Sequence, residues 1–216
     1  MRINPALLSF VALALPGPLL AHRLDEYLQA TTISVEKDRI SVEMRLSPGV
    51  AVTPFVLATI DRNGDGVISP TEEAGYVEQL LGDISLKLDG DVLPLRLVSK
   101  TFPRVEDMRE GVGEIRLTFL AAVPRQNVSA RQLIFENSHQ KRIAAYLVNA
   151  IVPSDPDLRI TAQSRNFQQS SYRLDYSQAG GASWSGQRAG LMALALLMAV
   201  RFTYSWWRRA RPLSAM

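Results

Sequence analysis

Apolar and polar residues alternate along several short stretches of this chain, and this alternation restricts the possible folds more than any other feature. Between Ile40 and Leu46 every second residue is apolar and those between are polar, which is the pattern of a half-buried strand. The pair Asp89-Gly90 favours a tight turn between two antiparallel strands. We predict about eight strands and therefore a mainly β fold, an antiparallel β-sandwich. The predicted strands are 31–36, 40–46, 84–88, 92–99, 115–119, 132–136, 145–152 and 158–164.

One segment, 53–83, does not show this alternation, because its apolar residues recur at a helical spacing. Thr53-Pro54 and Ser69-Pro70 each place a hydroxyl before a proline, which is typical of a capped helix start. The expected buried positions are Phe55, Leu57 and Ile60 on the first helix and Tyr76, Val77, Leu80 and Leu81 on the second. The segment is predicted to be helix, loop, helix.

The loop between these helices has oxygen-bearing residues at regular positions. Its sequence is Asp61-Arg-Asn-Gly-Asp-Gly-Val-Ile-Ser-Pro-Thr-Glu72. A calcium-sized cation takes six to eight oxygen ligands, and side chains at the first, third and fifth positions of such a loop converge on the ion. Gly66 permits the sharp reversal that turns the Val67 carbonyl inward. The predicted ligands are Asp61, Asn63, Asp65, Val67, Ser69 and Glu72.

This twelve-residue stretch resembles an EF-hand, and the flanking helices complete the likeness. The resemblance implies that Glu72 supplies both carboxylate oxygens to the ion. The alternative is a surface turn rich in Asp and Asn that holds no ion. No second loop of this kind is found, and Ile68 is expected to pack against the sandwich. A structural calcium clip is therefore favoured over a calcium sensor.

The amino-acid composition excludes several kinds of site and partner. The 216 residues include no cysteine, so disulfides, thiolate metal sites and thiol nucleophiles are excluded. The net charge is +3, but six arginines lie near the two ends, and removing them leaves 18 basic against 21 acidic residues. With no run of Lys or Arg between the ends, a nucleic-acid partner is not expected.

The amino terminus is typical of a secretory signal. Arg2 is followed by the apolar run Ala6 to Leu15 and by Pro16-Gly17-Pro18. Residues 1–21 are predicted to be the signal peptide, and 22–178 the exported domain. Leu19 occupies a position where cleavage prefers a small residue, so an uncleaved anchor is the alternative.

The carboxyl-terminal region is predicted to cross a membrane. Residues 179–188 form a linker, and 189–207 would rise about 28 Å as a helix, close to the hydrocarbon thickness of a bilayer. Trp206 and Trp207 followed by three arginines in 208–216 favour a cytoplasmic tail. The alternative is an amphipathic surface helix. We predict a single-pass protein of the bacterial inner membrane with its main domain in the periplasm.

The chain has two histidines, and they offer a second metal hypothesis. A mature amino-terminal His22 would present its amine and its ring together, and His139 would complete a nitrogen site for copper or nickel. The alternative is that His22 only begins the mature chain and His139 lies in a turn.

An enzyme is not indicated by the sequence. The charged stretch Arg104 to Glu110 and the pair Asp155 and Asp157 lack an accompanying nucleophile or phosphate-binding loop, so solvated turns are expected there.

The residues His22 to Gln29, just after a signal and ahead of a β-rich region and a membrane segment, are similar to the exported region of HupE/UreJ-like bacterial membrane proteins. That resemblance implies a module that accompanies a membrane protein and a link to metal handling. We expect a calcium-binding structural or interaction module, with copper or nickel handling as the alternative.

Overall fold

The computed structural model describes residues 25–124 and 129–179. Within these residues the chain forms ten strands and three helices. The strands are β1 (Tyr27–Val35), β2 (Arg39–Pro48), β3 (Ile84–Leu88), β4 (Asp91–Val92), β5 (Arg96–Thr101), β6 (Ile115–Ala122), β7 (Ala130–Asn137), β8 (Ala144–Ala150), β9 (Leu158–Arg165) and β10 (Ser171–Gln178). The helices are α1 (Thr53–Ile60), α2 (Pro70–Asp83) and α3 (Val105–Arg109).

The strands form two five-stranded sheets. The first has the order β5-β6-β2-β1-β8 and the second the order β4-β3-β7-β10-β9. Neighbouring strands are antiparallel except β1 and β8, which run parallel. The prediction of a mainly β chain is thus confirmed.

Alternation along the strands directs one face of each sheet into a shared core. In β2 the apolar residues from Ile40 to Leu46 are fully buried, while the polar residues between them are at least partly exposed. Val42 lies opposite Phe119 in the first sheet, and Leu86 lies opposite Phe135 in the second. All four belong to one hydrophobic cluster. Burial of apolar surface between the sheets is the dominant stabilising term.

One strand prediction was wrong, and one strand was not predicted. The predicted strand 92–99 is divided, because Pro94 has no N–H for a sheet hydrogen bond. The chain leaves the second sheet after β4, and β5 joins the edge of the first sheet. Strand β10 was missed altogether, although it lies inside the second sheet between β7 and β9.

The helix-loop-helix prediction for 53–83 is confirmed, with two corrections in α1. Leu57 and Ile60 are buried as predicted, but Phe55 is 65% exposed and its neighbour Val56 is buried in its place. Thr53 is not the helix cap. It is itself buried, and its hydroxyl donates to the carbonyls of Gly49 and Met108.

The helices lie at one end of the sheets, and the chain leaves the described region at the other. Helix α2 runs directly into β3, where Ile84 pairs with Asn137. Gln178 closes β10 at the opposite end of the same sheet, paired with Leu158. The β1–β2 turn also lies at this far end, since Lys37 contacts the carboxylates just before β9.

Helices α1, α2 and α3 are all too short or too polar to cross a bilayer, and the structure describes no other helix in 25–124 or 129–179. The predicted signal 1–21, the linker from residue 180, the span 189–207 and the tail 208–216 lie outside those residues.

Candidate calcium loop

The first predicted ligand, Asp61, lies directly after the last residue of helix α1. Ile60, its last residue, is fully buried, and Asp61 follows at the carboxyl-terminal cap with its backbone N–H donating to the Leu57 carbonyl. The buried face of α1 therefore fixes the backbone of Asp61 while leaving its side chain partly exposed.

The loop curls because its own side chains accept backbone hydrogen bonds a few residues ahead. The two carboxylate oxygens of Asp61 accept from the N–H groups of Gly64 and Gly66, at 2.8 and 3.0 Å. One oxygen of Asp65 accepts from the Val67 N–H at 2.8 Å. Gly64 and Gly66 have φ angles of +71° and +80°, a region that glycine enters without strain. The sharp reversal predicted at Gly66 is present in its backbone, whereas the inward direction of the Val67 carbonyl stays a prediction.

Asn63 lies between these two carboxylates in sequence and is hydrogen-bonded to the second. Its side-chain oxygen accepts from the Asp65 N–H at 3.0 Å, and its amide nitrogen donates to an Asp65 carboxylate oxygen at 2.9 Å. The third and fifth positions of the loop are therefore in direct side-chain contact.

Helix α2 begins as the sequence predicts. Ser69 is the amino-terminal cap and Pro70 the first helical residue. The Ser69 hydroxyl accepts from the Glu72 N–H, and the Glu72 carboxylate accepts from the Ser69 N–H at 2.9 Å. This reciprocal capping box satisfies donors that a helix start otherwise leaves unpaired.

Glu72 also reaches back to the beginning of the loop. Its second carboxylate oxygen accepts from the Arg62 N–H at 3.0 Å, so the twelfth position lies beside the first turn of the loop. Hydrogen bonds, first from the Ser69 backbone and then from the Ser69 hydroxyl, hold the pKa of the Glu72 carboxyl below its ordinary value of 4.5. The group is therefore ionised at neutral pH, as a calcium ligand must be.

The side chains of the loop supply the right kind of donor but are not gathered around one point. Asp61, Asn63, Asp65, Ser69 and Glu72 offer only oxygen ligands, which suit a hard cation. Within the described ranges, however, no three acidic or histidine side chains stand close enough together to hold a metal ion. Each of the three carboxylates is instead bonded to N–H groups of the loop. Ion binding would require some of these bonds to be exchanged.

A groove runs along α1 beside the loop. It has a volume of about 510 Å³, and its lining includes Val50, Leu57 and Ala58 together with Asp61 of the loop and Arg109 of α3. The groove is open to solvent and mostly apolar, with the charged residues Asp61 and Arg109 in its lining.

Of the two histidines proposed as copper or nickel ligands, the structure describes only His139. His22 lies outside the described residues. His139 is fully buried, and both of its ring nitrogens have hydrogen-bond partners, Asp83 at 2.8 Å and Tyr76 at 3.0 Å. A metal would have to displace one of them.

The charged residues for which solvated turns were predicted form ion pairs in the structure. Arg104 forms an exposed ion pair with Asp107, and the following residues form the short helix α3 rather than the expected turn, with Val105 and Met108 buried. Asp155 and Asp157 both contact the Lys37 ammonium, at 3.0 and 2.6 Å.

Sequence reasoning missed a buried polar cluster around His139. Tyr76 was expected only as an apolar position, yet its hydroxyl lies between His139 and the hydroxyl of Tyr27. Tyr76 and His139 are 63 residues apart in the chain. No local pattern signals such a pairing, although a buried helix face that carries a tyrosine hints at a polar partner.

Two comparisons with known proteins, one with family models and one with curated sequences, found no relative. No protein-family model matches this chain, and no curated protein matches it. The resemblances to an EF-hand and to HupE/UreJ-like proteins remain predictions from the sequence.

Proposed function

We propose that the protein binds one calcium ion through the loop Asp61 to Glu72, as a single EF-hand inserted in a mainly antiparallel β-sandwich. The proposed ligands are the side chains of Asp61, Asn63, Asp65, Ser69 and Glu72 and the carbonyl of Val67. The observation that carries the proposal is the hydrogen bond from the Arg62 N–H to the Glu72 carboxylate. It brings Glu72, the last residue of the twelve-residue spacing, next to the backbone of the second residue.

Binding would exchange hydrogen bonds for metal contacts. A bidentate Glu72 would give up acceptance from Arg62, from Ser69, or from both. Three carboxylates within one short loop repel one another, and a divalent cation relieves that repulsion. The exchange keeps the affinity modest, in the ~10⁻⁴ to 10⁻³ M range of extracellular calcium modules.

Calcium would act mainly as a structural clip. The loop joins α1, which ends in buried Ile60, to α2, whose residues Tyr76 and Leu80 are buried in the same core. Ile68 packs against that core from within the loop. An ion bound at this point ties both helices to the sheets. When free calcium is tenfold above the dissociation constant, it adds about 1.4 kcal/mol to folding stability.

The proposed setting is a membrane-anchored module exported from a bacterial cell. The sequence predicts an anchor at 189–207, and Gln178 leaves the described region at the end of the sheets opposite the helices. An anchor beyond Gln178 would therefore put the calcium loop and the α1 groove on the side away from the membrane. That orientation makes the groove accessible to a protein partner.

Thermal unfolding of the full-length chain in detergent tests the calcium proposal. Calcium at ten times the dissociation constant raises Tm by roughly 3 to 6 °C relative to a chelator. The variant Glu72→Gln keeps one acceptor oxygen for the capping box but loses the charge, so its Tm with chelator is lower than that of the unsubstituted chain. Its calcium response, the difference in Tm between calcium and chelator, disappears. Equal Tm values with calcium and with chelator in the unsubstituted chain would contradict the proposal.

A further inference from the structure

Four side chains form a continuous line of hydrogen bonds between α2 and the two sheets. The Tyr27 and Tyr76 hydroxyls lie 2.5 Å apart, the Tyr76 hydroxyl lies 3.0 Å from His139 Nε2, and His139 Nδ1 lies 2.8 Å from an Asp83 carboxylate oxygen. Tyr27 belongs to β1 in the first sheet, and His139 follows β7 of the second. Tyr76 and Asp83 both belong to α2. The line therefore fastens α2 to both sheets.

The number of hydrogens in this line determines the charge and tautomer of His139. Three hydrogen bonds need three hydrogens. A neutral imidazole, the two hydroxyls and an ionised Asp83 supply that number. The arrangement that satisfies every bond has Nδ1–H donating to Asp83, Tyr76 donating to Nε2, and Tyr27 donating to the Tyr76 oxygen. This tautomer follows from the count of donors and acceptors.

Protonation of His139 adds a fourth hydrogen to a line with three bonds. Nε2–H then donates to the Tyr76 oxygen, and Tyr76 turns to donate to Tyr27. The hydrogen of the Tyr27 hydroxyl is left over, and within the described ranges that hydroxyl bonds only to Tyr76. A buried hydroxyl hydrogen without an acceptor is costly.

The groups around His139 do not offset this cost. Asp83 and Tyr76 face it from α2, Tyr27 and Gln29 from β1, and Tyr146 from β8. Of these, Asp83 alone carries a charge at neutral pH, and its side chain is 37% exposed, which weakens its attraction for a protonated ring. Burial outweighs Asp83 and lowers the pKa of His139 below the ordinary 6.5.

We propose that protonation of His139 releases α2 from the sheets, so that acid weakens both the docking of α2 and the calcium loop at its amino terminus. The part concerning calcium rests on the proposed function, whereas the part concerning α2 does not. Docking is complete above pH 6.5, the ordinary His value. It is lost as the pH falls from there through the lower value of the docked state, by up to about tenfold in the opening equilibrium per pH unit.

Hydrogen exchange of the full-length chain in chelator, expressed as protection factors at pH 6.5 and 5.5, tests the release of α2. The expected result is a loss of protection of up to about tenfold over residues 70–83, with a smaller change in β6. His139→Gln keeps one donor and one acceptor but does not titrate, so its α2 protection stays constant. An equal loss in α2 and β6, or the same loss in both proteins, would overturn the proposal.

Two further measurements keep the proposal testable if His139→Gln does not fold. Nitrogen NMR of the His139 ring in the unsubstituted chain should show the Nδ1–H tautomer at pH 7.5 and a pKa below 6.5. The Nε2–H tautomer, or a higher pKa, would overturn it. Asp83→Asn keeps an acceptor for Nδ1–H but removes the charge, so the loss of α2 protection should move to lower pH.

Calcium titration at the two pH values tests the coupling. The affinity of the unsubstituted chain falls between pH 6.5 and 5.5 by more than that of His139→Gln. Equal falls would show that the loop does not respond to His139. A chain that binds no calcium at either pH would contradict the proposed function alone, because the exchange experiment is carried out in chelator.

Discussion

The Glu72 carboxylate accepts a hydrogen bond from the Arg62 N–H at 3.0 Å, ten residues back along the chain. The same carboxylate caps α2 through Ser69. One side chain thus closes the loop and starts the helix that follows it. Any ligand that draws on Glu72 must act on both.

Replacing Asn63 by Asp should have opposite effects with and without calcium. Asn63 Nδ2 donates to Asp65 at 2.9 Å, and Asn63→Asp removes that bond and places two like charges in contact. In chelator the Tm should fall, because the repulsion is uncompensated. With excess calcium the extra charge strengthens binding, so the calcium-induced rise in Tm should exceed that of the unsubstituted chain. A rise that is unchanged or smaller would count against a cation at this position.

Glycine substitutions should separate backbone strain from packing. Gly66 has a φ of +80° with open space around an added Cβ, so Gly66→Ala should cost about 1 to 2 kcal/mol through conformation alone. Gly75 lies inside α2, also with open space, and Gly75→Ala should stabilise the chain by about 0.5 to 1 kcal/mol. Denaturant unfolding measures both. A neutral Gly66→Ala would argue against the left-handed turn.

The orientation of α1 predicts two very different alanine substitutions. Ile60 is fully buried, so Ile60→Ala should cost about 2 to 5 kcal/mol. Phe55 is 65% exposed, and Phe55→Ala should change stability by no more than about 0.5 kcal/mol. Urea unfolding of the two variants measures both changes in the free energy of unfolding. Comparable losses of stability in the two variants would show that Phe55 is buried, as the sequence pattern predicted.

Acid should weaken the start of α2 through Glu72. Because its pKa lies below 4.5 in the folded chain, the stabilisation by the ionised carboxylate is complete above that value. It is lost as the pH falls through the lower folded value. A carbon NMR titration of the Glu72 carboxyl measures this directly. A midpoint at or above 4.5 would show that the capping box does not form.

Local patterns in the sequence predicted much of the structure. The alternation in β2, the turn at Asp89-Gly90 and the capping box at Ser69 and Glu72 all depend on residues a few positions apart. In the structure Asp89 and Gly90 have positive φ angles, as the turn requires. Strand β10 was not predicted, although its sequence has the same alternation. Tyr172, Leu174 and Tyr176 lie at every second position, and all three are buried.

Contacts between residues far apart in the chain could not be predicted from local sequence patterns. The parallel pair β1 and β8 joins Tyr27 to Ala144 across the chain, and no turn residue specifies such a contact. The hydrogen bonds of His139 to α2 have the same character. Phe55 was misplaced for a different reason, because α1 is apolar around most of its circumference and its sequence does not identify which side is buried.

Calorimetric titration of the full-length chain with calcium, beside Glu72→Gln in the same buffer, most directly tests the central claim. We expect heat from one site in the unsubstituted chain, with a dissociation constant of ~10⁻⁴ to 10⁻³ M, and none in the variant. No heat from the unsubstituted chain at millimolar calcium, or equal heat from both proteins, would contradict it.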